Sequence, residues 1–250
     1  MSNQFTHLSI SSGYSFKYGS AHPEQLVERA AQFNMTSLAL TDQNNLAGAI
    51  RFAQSCESFG IKPILGITLP FIQKSSKITL LAKSGSLSAL YRLVSGINTN
   101  TSDGVLTIEL LERFNQYSKD LIALLGPQSS LNKNLTNRKE AAALSNYQLI
   151  KEHFDTVAIE CVSHLERSGN LRSTQAAGRS LAFAIKHQIP SVITNQVRML
   201  EKSDGPVIDV LDANRKLSFI GSATVERSNG EAYLKDSASM AYLADQIARA

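Results

Sequence analysis

The sequence predicts an α/β fold, a distorted parallel barrel of the (β/α)7 type, and three observations carry that reading. Short apolar runs alternate with helical patterns from one end of the 250 residues to the other. Seven of those runs are strand candidates, and most are followed by a helix. The composition, 43% hydrophobic and 18% charged, can supply a sizeable core. Such alternation favours parallel strands joined by right-handed crossovers, and seven or eight units favour closure into a barrel.

Phe5 to Ile10 reads as the first strand. Pro23 then stands where a helix begins, and Leu26, Val27, Ala30 and Ala31 recur at helical spacing up to Phe33. Ser37 to Thr41 is a second, buried strand. Leu46, Ala49, Ile50, Ala53 and Cys56 mark one face of a helix that Gly60 closes. Pro63 to Leu69 and Lys77 to Ala82 are strands too close together to hold a helix between them. Leu87, Leu90, Tyr91 and Val94 form one helical stripe; Leu106, Leu110, Leu111 and Phe114 form another. Ser95 to Gly104 and Gly126 to Thr136 read as polar loops. Leu121 to Leu125 is a strand, Asn137 to Phe154 a long helix, and Thr156 to Glu160 a strand. Leu171 to His187 is helical, Pro190 to Thr194 a strand, and the chain from Asp204 onward mostly helical.

Composition excludes several classes. With 25 Lys and Arg against 21 Asp and Glu, the formal charge is +4, and basic residues never run more than two together, which excludes a polybasic arm. Cys56 and Cys161 make neither a disulfide framework nor a CxxC zinc site, which fits a reducing cytoplasm. No stretch approaches the ~20 apolar residues a membrane helix needs, and the start lacks a signal peptide's basic and apolar regions. Soluble, cytoplasmic residence is the expectation, with no membrane partner.

In a parallel barrel, reactive groups come from the C-terminal ends of the strands. Here those ends read Ser9 to Ser15, Thr41 to Asn45, Gly66 to Thr68, Gly126 to Gln128 and Thr194 to Arg198: hydroxyls and amides, with almost no imidazole or carboxylate. Asp42 is the one acid, expected to cap the following helix. None of His7, His22, His153, His164 and His187 lies at metal-ligand spacing to another. His7 is expected to be packed, His22 to sit in a turn, and His153 and His187 near helix C-termini. Glu160 with His164 is the best remaining polar pair, expected to be structural. Walker A, GxGxxG, GxSxG and HExxH motifs are all missing from the sequence.

The strand-end segments also carry a resemblance. Phe5-Thr6-His7-Leu8-Ser9-Ile10-Ser11-Ser12-Gly13-Tyr14-Ser15, Glu24 to Ala31, Ser37-Leu38-Ala39-Leu40-Thr41-Asp42 with Gly48-Ala49, and Gly60 to Gly66 occur in that order. They are followed by Ile78 to Lys83, Leu90 to Ser95, Asp120 to Leu124 and Thr194-Asn195. Together they resemble the PHP (polymerase and histidinol phosphatase) domain, a TIM-like fold, at the N-terminus of bacterial C-family DNA polymerases. The resemblance spans residues 1–250 and implies one PHP domain at the start of a longer polymerase chain.

It also implies where metal ligands would be. Metal-binding relatives place nine around the barrel mouth. The matching positions here are Ser9 and Ser11 for the HxH, Tyr18 for the acid or histidine a few residues on, and Gln43 for the histidine after the Thr-Asp pair. Thr68 stands for a glutamate, Lys77 for a histidine, Pro127 for a cysteine or histidine, and Gln196 and Arg198 for the final Asp-x-His. Hydroxyls and amides are poor ligands for transition metals. The expectation is therefore a domain with no catalytic residue, no metal and no cofactor, acting as a platform in a replicative or, more in keeping with the lost site and the His22-Pro23-Glu24 helix start, an error-prone polymerase. Polymerase chemistry needs a carboxylate-held metal pair and would belong to other parts of the parent chain. The expected partners are those other domains, with DNA and replication or repair proteins met indirectly. A metal-dependent phosphoesterase and a stand-alone module holding an anion with Lys77 and Arg198 are the competing readings. In the platform reading, Ser9, Ser11, Gln43, Asn195 and Gln196 hydrogen-bond to one another, and Arg198 reaches Asp42.

Overall fold

Six strands form the sheet of this chain, hydrogen-bonded in sequence order from β1 to β6. A computed structural model describes residues 5–222 and 227–250. The strands are β1 (Ser37–Leu40), β2 (Lys62–Phe71), β3 (Gln73–Ala82), β4 (Leu121–Leu125), β5 (Thr156–Val162) and β6 (Ser191–Thr194). The helices are α1 (Pro23–Gln32), α2 (Ala49–Ser58), α3 (Leu87–Asn100), α4 (Ile108–Arg113), α5 (Asn115–Ser118) and α6 (Ser130–Thr136). After them come α7 (Glu140–Lys151), α8 (Thr174–Lys186), α9 (Gly205–Arg215) and α10 (Ser237–Ala248).

The expected all-parallel barrel is corrected to a mixed sheet. β3 pairs antiparallel with both β2 and β4, while β4 and β5 are parallel. A parallel return needs a crossover of a dozen or more residues. Between β2 and β3 only Ile72 intervenes, in a left-handed conformation (φ 60°), so the two strands fold back as a hairpin. Between β4 and β5 there is room for α6 and α7, and the parallel pairing follows.

Other elements depart from expectation for local reasons. Phe5 to Ile10 is not a continuous strand: its one bridge is Ile10 to Val197. α3 runs on through Ser95 to Asn100 in place of a loop, because Ile97 is fully buried and extends the apolar stripe. Gly126 to Thr136 contains α6, whose polar sequence hides a helix started by the Ser129 hydroxyl accepting from the Asn132 N–H. The expected helix from Asn137 begins three residues later, because Arg138 turns left-handed (φ 57°) between α6 and α7. The C-terminal stretch is broken into a 3-10 turn (Lys202–Asp204), α9 and α10; residues 223–226 lie outside the described residues.

Contacts divide the chain into two compact units. The first comprises Met1–Ile64 and Thr194–Leu243. Its core takes Leu26, Val27 and Ala30 from α1, Leu38 to Leu40 from β1 and Phe52 from α2, with a cluster of Met199, Ile208 and Ala232. The second comprises Leu65–Ile193 and Ala244–Ala250. Ile67, Ile78, Leu80, Leu90, Leu93 and Ile97 are fully buried there. Each such side chain contributes about 1.5–3 kcal/mol of transfer free energy, so the scaffold's stability resides in these layers.

Candidate functional site

The first unit builds its polar centre on residues 7–15. This segment is held on both sides by backbone hydrogen bonds even though it is not a regular strand. The Ala39 N–H donates to the His7 carbonyl (3.0 Å) and the Thr41 N–H to that of Ile10 (2.8 Å). On the other side the Ser11 N–H donates to Val197 O (2.8 Å) and the Val197 N–H to Ser9 O (2.9 Å). Ser9 and Ser11, two residues apart in extended chain, are both buried.

Asp42 does not cap a helix. It is 2% exposed and closes the turn that follows the segment. Its carboxylate accepts the Ser12 N–H (2.7 Å), the Ser12 hydroxyl (3.0 and 2.9 Å to its two oxygens) and the Ser15 hydroxyl (2.6 Å). Burial raises its pKa above the ordinary range even though the Ser15 and Ser12 hydrogen bonds pull it down. The Gln43 N–H donates to the Ser15 hydroxyl (2.9 Å), and the Gln43 amide reaches Ser11 Oγ at 3.4 Å. The lone strand-end acid is thus absorbed by its own neighbours' hydroxyls.

Arg198 does not reach Asp42 either. Its guanidinium lies 4.0 Å from the centroid of the Tyr18 ring and donates to the Tyr18 carbonyl from Nε (3.3 Å) and Nη2 (3.2 Å). Nη1 and Nη2 also form a two-pronged pair with the Asp212 carboxylate at 3.1 and 2.7 Å. Arg215, one turn further along α9, donates to the same carboxylate at 2.7 Å. Burial works against the Arg198 charge, but Tyr18, Asp212 and Asp209 outweigh it and hold its pKa above the usual value. Burial likewise works to raise Asp212, and the Arg198 and Arg215 guanidinia overcome it and depress that carboxyl.

The Asn195 amide donates to the Glu231 (2.9 Å) and Tyr233 (2.8 Å) carbonyls. Gln196 adopts a left-handed backbone (φ 41°), uncommon for a residue with a side chain. Glu231 accepts Lys202 Nζ (2.5 Å) and Lys235 Nζ (3.2 Å). His7 is packed as expected. Its Nε2 meets the Lys235 carbonyl at 2.8 Å, and burial, with the Lys235 charge adding to it, lowers its pKa to about 4. The buried Nδ1 finds no partner among the described residues, so the neutral Nε2–H tautomer fits the site.

The second unit carries the remaining positions. Thr68 on β2 faces Thr79 on β3, their hydroxyls 2.9 Å apart. Lys77 lies opposite Pro70 in the same ladder, and its N–H donates to Gln128 O (3.1 Å). Pro127 is buried after β4. Glu160 on β5 and His164 beyond it are both buried. Burial, together with the Glu160 charge, pushes the neighbouring Cys161 thiol up to about 12, which leaves it unreactive at neutral pH.

Of the nine expected positions, Ser11 thus meets Gln43 and Tyr18 meets Arg198. Among the described residues no three His, Cys, Asp or Glu side chains converge as a metal ligand set. Sequence reasoning missed Ser12 and Ser15, which serve Asp42, and Asp212, which lies 14 residues beyond Arg198. The one available signal for Asp212 was its i,i+3 spacing to Arg215.

A six-stranded mixed sheet with helices between its strands places this molecule in the α/β class. The chain belongs to the PHP family: the PHP domain model matches residues 7–164. It is similar to the DNA polymerase III subunit alpha of Buchnera aphidicola (subsp. Acyrthosiphon pisum), 29% identical over 258 residues, covering 99% of this chain and 22% of that one. It is also similar to an error-prone DNA polymerase of Teredinibacter turnerae, 26% identical over 92% of this chain and 21% of the relative. The chain thus spans about a fifth of the length of these curated relatives. A solved structure from Bifidobacterium adolescentis superposes with a TM-score of 0.51 at 12% identity, over 97% of this chain and 96% of that chain. So does a Bacteroides vulgatus two-domain protein containing a predicted PHP-like metal-dependent phosphoesterase, with a TM-score of 0.51 at 11% identity, over 86% of this chain and 56% of that one. At those identities the likeness is one of fold. No helix among the described residues is long and apolar enough to cross a membrane.

Proposed function

We propose that residues 1–250 form a non-catalytic PHP domain at the head of a polymerase III alpha-type or error-prone DNA polymerase chain, serving as a structural platform in replication or translesion synthesis. One observation carries this reading: Arg198 and Tyr18, which occupy two positions that the family resemblance marks as ligands, are stacked on each other, and Asp212 fixes the arginine there. A guanidinium cannot donate a lone pair, and its positive charge repels a second cation. Asp42, the one strand-end carboxylate, has its oxygens turned to Ser12 and Ser15. The residues present do not fit a metal centre, so no hydrolytic step is derived through one.

The partners that follow are the other domains of the same chain, with the polymerase reaction carried out elsewhere in it and the whole working in the cytoplasm. The length of the relatives supports this. Holding an anion with Arg198 is disfavoured, because most of its guanidinium donors are already taken by the Asp212 carboxylate and the Tyr18 carbonyl.

The competing reading is a metal-dependent phosphoesterase, and one assay separates the two. The purified chain is incubated with added Mn2+ or Zn2+ and a phosphomonoester, pyrophosphate or a 3′-mismatched primer. All three substrates should survive. Turnover that follows the protein through repurification, stops with a chelator and is lost in Asp42→Asn would replace the platform by an enzyme.

A further inference from the structure

A second polar site lies among the helices of the second unit and shares no residue with the strand-end positions. It is a cavity of about 270 Å3 lined by Leu135, Arg138, Glu140, Arg179, Phe183 and Lys186, with Ala182 at its side. Local sequence builds it. Arg179, Ala182, Phe183 and Lys186 recur at i, i+3, i+4 and i+7 and so share one face of α8. Facing them is the turn between α6 and α7, where the left-handed Arg138 lets the chain reverse within three residues.

The charges in this cavity are unequally used. Glu140 accepts Lys186 Nζ at 2.6 Å and His187 Nε2 at 2.9 Å, and those two hydrogen bonds depress its pKa. Lys186 is thereby neutralised. No hydrogen-bond or ion-pair partner is found for the side chains of Arg138 or Arg179 among the described residues. Leu135 and Phe183 are buried and give the cavity an apolar floor. Two guanidinium forks without a partner among the described residues thus line the same cavity as the apolar Leu135 and Phe183.

We propose that this cavity binds an acidic, apolar-tipped peptide segment of a partner protein: a carboxylate clamped by Arg138 and Arg179, with an adjacent Leu- or Phe-sized side chain on the Leu135–Phe183 floor. Guanidinium forks match a carboxylate in two-pronged geometry. The volume falls below the ~300–1,000 Å3 of ordinary small-molecule pockets and suits one side chain with its neighbouring carboxylate. Nucleic acid fits less well. Two unpaired arginines in one small cavity, with Lys186 already held by Glu140, do not make the continuous basic track that a phosphate chain follows. The site is independent of the platform reading, since it uses none of the nine strand-end positions.

Fluorescence anisotropy with the 250-residue chain tests it. The probe is a short rhodamine-labelled peptide carrying Asp beside Leu-Phe. Saturable binding is expected, weakened about tenfold or more by Arg179→Gln or Arg138→Gln and by replacing the peptide's Asp with Asn or its Leu-Phe with Ser-Ser. Neither arginine has a partner to lose, so both variants should melt with the wild type. Glu140→Gln removes the competing carboxylate and should tighten binding. No saturation, indifference to both arginine variants, weaker binding by Glu140→Gln, or tighter binding of a labelled oligothymidylate that the same arginine variants abolish would each overturn the assignment.

Discussion

Removing the Arg198 side chain would strip Asp212 of two charge-assisted hydrogen bonds and leave it with Arg215 alone. Arg198 and Asp212 are 14% and 15% exposed, so the carboxylate would stay largely out of water with half its compensation gone. Breaking such a pair from one side costs about 3–5 kcal/mol when nothing replaces the lost partner, and the surviving Arg215 places Arg198→Ala near the lower end, at about 3 kcal/mol. Arg198→Lys keeps the charge but loses the planar fork and its stacking on Tyr18, so a smaller loss is expected. Urea unfolding of both variants checks this, and an Arg198→Ala protein within about 0.5 kcal/mol of wild type would mean that the cluster is ornamental. The sequence placed Arg198 correctly at a strand end but paired it with the wrong carboxylate. Asp42 was nearer by strand order, yet hydroxyls two turns of loop away had already taken it, and spacing carries no signal for that competition.

At the scale of elements, legibility followed the strength of the apolar period. β4 was read to the residue and α1, α2 and α8 to within a few, because each buries an apolar stripe or run; β6 was read to within one residue from its β-branched Val192-Ile193-Thr194, although only Thr194 is buried. α6 was lost because Asn, Lys and Thr fill its sequence, and only the Ser129 cap marks its start. Phe5 to Ile10 was legible as extended chain, while the two-sided pairing of the 7–15 segment depended on partners distant in sequence. That segment then turns back on itself, and Gly19 is what permits the return. A Cβ there would stand 2.2 Å from Ser12 O and 2.5 Å from Ser11 O, both backbone atoms that no side-chain rotation can move. The loop that supplies Asp42 with its hydroxyls would have to open. Gly19→Ala should therefore cost about 3 kcal/mol, at the top of the range for overpacking, with the change seen in thermal melts. A melting temperature equal to that of wild type would show that the loop relaxes freely.

At the scale of the whole molecule, His7 makes stability depend on pH. His7 joins two ends of its unit, donating from Nε2 to the carbonyl of Lys235, 228 residues away. Buried without a partner for Nδ1, it has a pKa of about 4 in the folded chain, against about 6.5 when unfolded. The unfolded chain therefore takes up a proton first as pH falls, so stability that is complete above pH ~6.5 drains away toward pH ~4. The loss from this group is roughly 3 kcal/mol between pH 7 and pH 4. For a chain of this size that is about 6–12 °C in melting temperature. Asp212, Glu231 and Asp236 are depressed, so their contributions persist until pH drops below ~4. Asp42, raised chiefly by burial, has the opposite sign and regains stability as it protonates. His7→Gln keeps a donor at the Nε2 position and removes the titration. It should be less stable than wild type at pH 7, since a glutamine packs imperfectly there, yet lose far less between pH 7 and 4. Melting curves taken across that range decide it: if the wild type and His7→Gln fall in parallel, the proton is taken up elsewhere and His7 does not govern the acid limb.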